Sequence, residues 1–166
     1  MSQVHVHSFR TNWGTIRTAA TERGLALIAL PGESRMSFEN EVAKLAVGSE
    51  VRKGGRINKQ AQEQIEKFLA GKLRKFDLEL DQSGTPFQRK VLQQVARIPY
   101  GETRTYGEIA RAVRNPKAAR AVGSANGQNK LPLVIPCHRV VATNGLGGFG
   151  GGLELKRKLL KLEGGK

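Results

Sequence analysis

TPFQRKVLQQVARIPYGETRTYGEIARAVRNPKAARAVGSAN, residues 85–126, carries two helix starts of the same kind. Thr85 stands three positions before Gln88, and Thr105 three before Glu108. In each pair the hydroxyl is placed to accept from a backbone N–H of the first turn while the longer side chain reaches back, a capping box. Pro86 supports the first start, because a proline at the first helical position gives up an N–H that would have no partner there. Phe87, Val91, Leu92, Val95 and Ile98 repeat at helical spacing, and Pro99-Tyr100-Gly101 ends the run. After the second start come Ile109, Ala110 and Val113, a turn at Arg114-Asn115-Pro116, and a third helix running from Asn115-Pro116 to Asn126. Two short helices joined by a tight turn over residues 105–126 form a helix-turn-helix pattern.

The second helix of that pair is unusual for a sequence reader. Its surface candidates are Ala118, Ala119, Ala121, Gly123 and Ala125, and only Arg120 projects far. Base-edge recognition needs bidentate side chains such as Arg, Asn or Gln. Small residues instead let a helix backbone lie close to a groove, which favours a protein that scans any sequence. The same small residues would also suit packing against another helix.

Downstream, residues 131–141 (LPLVIPCHRVV) read as an apolar strand broken at Pro136, which cannot supply a ladder hydrogen bond. Cys137, the only cysteine of the chain, follows the break and is expected to face a cleft. A lone cysteine excludes an internal disulfide and a cysteine-based zinc site. His138 follows directly, but neighbours in a strand point to opposite faces, so contact needs the bend or a bridging water. Arg139 adds positive charge, which favours the nucleophilic thiolate. Residues 82–166 hold four acidic side chains, Glu102, Glu108, Glu154 and Glu163. Glu163, beside the leucine face of a terminal helix over residues 153–162, is the candidate to orient His138. Lys156, Arg157, Lys158 and Lys161 of that helix are expected to face out. Residues 144–152 (NGLGGFGGG) lack the Gly-Lys-Ser/Thr of a phosphate loop. With Phe149 they suit the wall of a base-sized pocket, or a flexible linker.

Residues 1–81 read as a small α/β domain. Val4 and Val6 alternate with His5 and His7, Thr15 to Arg23 sits between Gly14 and Gly24, and Leu25 to Leu30 stops at Pro31-Gly32, giving three strands. Phe38, Val42 and Leu45 mark a helix. Residues 48–57 read as a flexible basic loop. Asn58 is expected to cap a helix with Ala61, Ile65, Phe68 and Leu69 on its buried face. Phe76, Leu78 and Leu80 suggest a last strand, and residues 81–85 (DQSGT) the boundary with a mainly helical domain over 82–166.

The net charge is +14, split as +3 in residues 1–81 and +11 in residues 82–166. That asymmetry calls for a polyanionic partner on the second half. There is no run of apolar residues long enough for a membrane span and no signal-like start, so an intracellular protein is expected.

Taken together, Phe87-Gln88, residues 98–103 (IPYGET), Tyr106, residues 120–123 (RAVG), Ala125-Asn126, Asn129, residues 135–140 (IPCHRV) and residues 150–153 (GGGL) through Glu163 resemble the O6-alkylguanine-DNA alkyltransferase family. The resemblance covers residues 85–164. It implies a ribonuclease H-like α/β N-terminal domain and a helical C-terminal domain with a winged-helix or helix-turn-helix DNA-binding element. It implies direct-reversal repair: the alkyl group of O6-alkylguanine, and of O4-alkylthymine, moves once and irreversibly to Cys137 after base flipping. By the same resemblance His138 is a water-mediated base, Glu163 orients it, and Asn129 braces the active-site turn. Tyr106 rotates the phosphate and meets the flipped base. Arg120 fills the vacated stack through the minor groove, beside Ala119, Ala121 and Gly123. Val140, Phe149 and Gly150 line the base pocket, with carbonyls near Cys137 and Val140 receiving the guanine amine. Phe149 stands where the family usually has tyrosine. The partner is double-stranded DNA, read with little sequence preference by a monomer, and cooperative assembly on DNA is left open. No cofactor and no metal are called for, since His5 and His7 lack cysteine partners.

Two other readings use the same residues. One is a sequence-specific regulator with Cys137 inert or redox-sensing. The other is a Cys–His–Glu acyl hydrolase, for which the basic field and the helix pair serve no purpose.

Overall fold

A computed structural model describes residues 2–164 of the chain. They form two compact units, Met1–Gln82 and Ser83–Lys166.

The first unit is built on a mixed sheet. Strands β1 (Gln3–Thr11), β2 (Gly14–Thr21) and β3 (Gly24–Ala29) make an antiparallel meander, and β4 (Glu50–Lys53) pairs parallel with β1, giving the order β3-β2-β1-β4. β3 (GLALIA) is buried along its whole length, so both of its faces are covered. Helix α1 (Arg35–Leu45) is capped by Ser34 and brings Phe38 and Val42 onto Val4, Ala19, Leu27 and Ala29. Helix α2 (Arg56–Leu69) lies across β1, β2 and β3 and buries Ala61, Ile65 and Phe68.

Three expectations for this unit fail. The basic stretch 48–57 is not a loop, because β4 hydrogen-bonds to β1 within it. Asn58 does not cap α2; Gly55 holds that position at φ 96°. Asn58 is instead buried, accepting from the Thr18 hydroxyl at 2.9 Å and donating to the carbonyls of His5 at 3.0 Å and Gly54 at 2.8 Å. Its four hydrogen-bonding sites are better used against a sheet than at a helix end. Residues 76–80 form no strand beyond a single bridge from Leu80 to Leu25, closed by Leu25 N to Glu79 O and Asp81 N to Leu25 O, each 2.8 Å.

The second unit is mainly helical. Helix α3 (Pro86–Val95) and helix α4 (Tyr106–Ala112) each open with a complete capping box, at Thr85/Gln88 and Thr105/Glu108. Between them β5 (Arg104–Thr105) pairs parallel with β6 (Val140–Val141). Helix α5 (Ala119–Gly127) packs on α3 and α4, and α6 (Leu153–Leu162) closes the chain. α5 starts later than expected, because Asn115 and Pro116 lie in the turn, with Arg114 at φ 62° and Ala118 N bonded back to Asn115 O. Among the small residues of α5, Ala125 is buried in the core, Ala121 is exposed and Ala119 and Gly123 are half-buried, and Arg120 beside them is exposed.

Candidate active site

Residues 131–139 are not a strand. Residues 132–134 form a turn closed by Ile135 N to Leu131 O at 2.9 Å, with Leu133 at φ 74°. Pro136 (φ −79°, ψ 66°) centres an inverse γ-turn closed by Cys137 N to Ile135 O at 2.7 Å. Cys137–Arg139 then make a short 3₁₀ turn. The bend inferred from proline is present, but as a tight turn rather than a broken strand. Cys137 sits at its start and is 5% exposed.

Two amides hold this turn. Asn129 Nδ2 donates to Ile135 O at 2.8 Å, while its Oδ1 accepts from Leu131 N at 3.0 Å. Asn126, buried on α5, donates from Nδ2 to Cys137 O at 3.2 Å. The helix pair is therefore bonded directly to the backbone carbonyl of the cysteine. Asn126 enters the sequence reading only as a helix end and within the Ala125-Asn126 match, with no role given to it.

His138 is fully buried, and its Nε2 lies 2.8 Å from Glu163 Oε2. Arg139 approaches the same carboxylate with two donors, Nε to Oε1 and Nη2 to Oε2, both at 2.8 Å, and gives Nη1 to Ile98 O at 2.7 Å. Its guanidinium also lies 5.6 Å from the Tyr100 ring centroid. Burial alone would raise the Glu163 carboxyl, but the hydrogen bonds and charges of His138 and Arg139 hold it down at about 2. Glu163 is therefore ionised and can only accept, so Nε2 carries the proton and Nδ1 the lone pair. Burial pushes the His138 imidazolium below its usual range against the opposing pull of Glu163, so the ring is neutral near pH 7. Glu163, the C-cap of α6, is a fixed part of the site rather than a frayed end.

The Arg139 guanidinium is paired with Glu163. Lys156 of α6, expected to face out, is in fact fully buried. Its Nζ donates to Val140 O at 2.6 Å and to Gly148 O at 2.9 Å. Burial lowers the Lys156 ammonium to about 8, opposed by the charge of Cys137. The carbonyls of Cys137 and Val140, expected to receive a guanine amine, thus already accept from Asn126 and Lys156.

Tyr106 opens α4. Its ring lies over Gly123 of α5, where an added Cβ would sit 3.7 Å from ring carbons, and its Oη accepts from Gly148 N at 3.1 Å. The glycine-rich loop is therefore anchored to the helix pair and is no free linker. Phe149 is half-buried and Gly150 exposed on that loop, and Arg120 is exposed on α5. No described helix is long and apolar enough to cross a membrane.

Residues 86–165 match the family described as 6-O-methylguanine DNA methyltransferase, DNA binding domain. A methylated-DNA–protein-cysteine methyltransferase of Methanosarcina acetivorans is 42% identical over 157 residues, 94% of this chain and 96% of that protein. The crystal structure of Mycobacterium tuberculosis OGT in complex with DNA superposes with a TM-score of 0.82 at 37% identity, covering 96% of this chain and 92% of that one. The O6-methylguanine-DNA methyltransferase of Pyrococcus kodakaraensis gives 0.66 at 28% identity, over 97% and 99% of the two chains. Similarity of this degree over nearly the whole length, around a buried cysteine on a histidine–glutamate pair, means that the chain belongs to the methylated-DNA–protein-cysteine methyltransferase family.

Proposed function

We propose that the protein reverses alkylation damage in DNA directly, moving the alkyl group of O6-alkylguanine, and of O4-alkylthymine, onto Cys137. The observation that carries this is the buried thiol placed one residue before a neutral histidine that an ionised Glu163 holds by Nε2.

With Nε2 bonded to Glu163, the base is Nδ1, which takes the thiol proton through a water. The thiolate attacks the alkyl carbon, so an Sγ–C bond forms as the C–O6 bond breaks. The electron pair stays on the guanine, which takes up a proton and leaves as the normal base. Asn129 fixes the turn that carries the nucleophile, and Tyr106 meets the flipped nucleotide. Arg120 fills the vacated stack, with Ala119, Ala121 and Gly123 against the minor groove. Val140, Phe149 and Gly150 line the base pocket. The thioether is stable and no residue of the site is suited to hydrolysing it, so each molecule acts once.

On this reading residues 1–81 and 82–166 are separate domains. The sheet order β3-β2-β1-β4 with β4 parallel to β1 supports a ribonuclease H-like assignment for the first. The capped pair α4 and α5 supports a helix-turn-helix element in the second. The protein works as an intracellular monomer on duplex DNA of any sequence.

Intact mass and peptide mapping after mixing with O6-methylguanine duplex test this directly. One methyl group per chain, on Cys137, is expected. An unmodified Cys137 in folded, reduced protein would refute the reading.

A further inference from the structure

Asn126 carries a half-used amide beside the acceptor cysteine. It lies on α5, 4% exposed, and its Nδ2 donates to Cys137 O at 3.2 Å. A carbonyl oxygen can only accept, so this bond fixes which end of the amide is which. Oδ1 is the other end, buried and without a hydrogen bond among the described residues. A buried acceptor left in that state is costly, and folded proteins contain few of them. The surroundings of the amide define what meets it. Gly123 lies three residues earlier on α5, a neighbour on the helix surface, and the Tyr106 ring lies over it. One strip of α5 therefore runs from Tyr106 to the carbonyl of Cys137. The carbonyls of Cys137 and Val140 are themselves in use. Cys137 O takes Val140 N–H as well as Asn126 Nδ2, which fills both of its lone pairs, and Val140 O takes Lys156 Nζ.

We propose that Asn126 is a specificity-determining residue: its Oδ1 accepts a hydrogen bond from the exocyclic amine of the flipped guanine. This rests on the reading that O6-alkylguanine is delivered to Cys137. Flipped bases are read by hydrogen bonds along their Watson–Crick edge. Alkylation at O6 removes the proton from N1, so the 2-amino group is the one N–H donor left on that edge. It is the group that an orphaned acceptor can use. O4-alkylthymine presents N3 and O2 there, both acceptors, and leaves Oδ1 unpaired. A site that pairs a buried polar group with one substrate rejects the analogue lacking the partner, because that group then stays buried and unsatisfied. The amide thus favours alkylated guanine over alkylated thymine. A leucine in its place has no orphaned atom and no preference for the amine.

The test removes each partner of the hydrogen bond in turn. Single-turnover transfer is measured for the full-length protein on two duplexes that differ in one group, O6-methylguanine and O6-methylhypoxanthine, which lacks the 2-amino group. Wild type should react about tenfold or more faster with the first. In Asn126→Leu, apolar and of similar size, the ratio should shrink to about threefold or less, through slower reaction with O6-methylguanine and little change with O6-methylhypoxanthine. Any difference in how readily the two bases leave the stack is common to both proteins and cancels in the comparison. A residue that only supports the cysteine turn would slow both reactions by one factor. A ratio in the folded Leu variant within about twofold of the wild-type ratio therefore overturns the proposal. If thermal melting shows that the Leu variant does not fold, Asn126→Ala is read by the same ratio with the same two outcomes. Transfer from neither duplex by wild type would refute the repair reading itself, whereas transfer with an unchanged ratio refutes only the part given to Asn126.

Discussion

His138 Nε2 and Glu163 Oε2 lie 2.8 Å apart with both side chains sealed from solvent, and the same carboxylate receives a two-donor fork from Arg139. The C-cap residue of α6 is thereby tied to the turn beside the nucleophile. Removing the charge at Glu163 leaves the Arg139 guanidinium buried without compensation. Glu163→Gln should therefore destabilise the fold by about 3–5 kcal/mol. Urea denaturation measures this, and a loss under about 1 kcal/mol would mean that the pair is not buried in solution.

Both members of the pair also set the response to acid. Glu163 is held near 2 in the fold against 4.5 as its ordinary value, so the stability it contributes is present above 4.5 and lost as pH falls toward 2. His138 is depressed below 6.5, so its contribution is present above 6.5 and declines as pH falls below that value. Thermal midpoints should fall continuously on acidification from about pH 6.5. A midpoint unchanged between about pH 7 and pH 5 would contradict the His138 shift, and one unchanged between about pH 4.5 and pH 2 would contradict the Glu163 shift.

Asn129 spans the acceptor turn with one donor and one acceptor. Asn129→Ala should cost about 1–3 kcal/mol and slow transfer, because the freed Ile135 carbonyl and Leu131 amide lose their partner. DNA affinity, measured by anisotropy, should stay near wild type. A parallel loss of affinity would place Asn129 in DNA binding instead.

Gly147 stands at φ 73°, and a Cβ added there would lie within 3 Å of the Tyr106 ring and hydroxyl. A stiff aromatic side chain gives way poorly, and the backbone conformation itself disfavours an L side chain. Gly147→Ala should lower stability by about 1 kcal/mol or more and impair transfer by displacing Tyr106. Wild-type single-turnover rates in this variant would show that the loop can shift freely.

Arg120 is exposed on α5 beside small residues. Arg120→Ala should slow repair of duplex more than repair of single strands, where no vacated stack needs filling. Equal losses on both substrates would remove the stack-filling role. In wild type, affinity should fall by about 0.9 log units per phosphate contact for each decade of salt.

The sequence made local structure readable wherever the signal was local. Both capping boxes, the apolar face of α3 and the proline-induced bend before Cys137 depend on residues a few positions apart. Glu163 was legible because few carboxylates lie in the second half and one adjoins a leucine face. The failures share a physical cause, namely partners distant in the chain. Val51 sits among charged residues, and only pairing with Val4 makes β4 a strand. Residues 76–80 alternate well but meet sheet partners only at Leu25. Lys156 reads as a solvent-facing lysine in a basic helix, and its burial follows from carbonyls on two other segments.

The sulfur that must be used only once is almost wholly enclosed. A small electrophile in the surrounding medium therefore meets little of the cysteine's surface. Productive contact depends on something else holding a reactive carbon in place long enough to be reached. Discrimination then comes from delivery as much as from intrinsic reactivity, and the supply of intact protein tracks the number of lesions rather than the background of reactive small molecules.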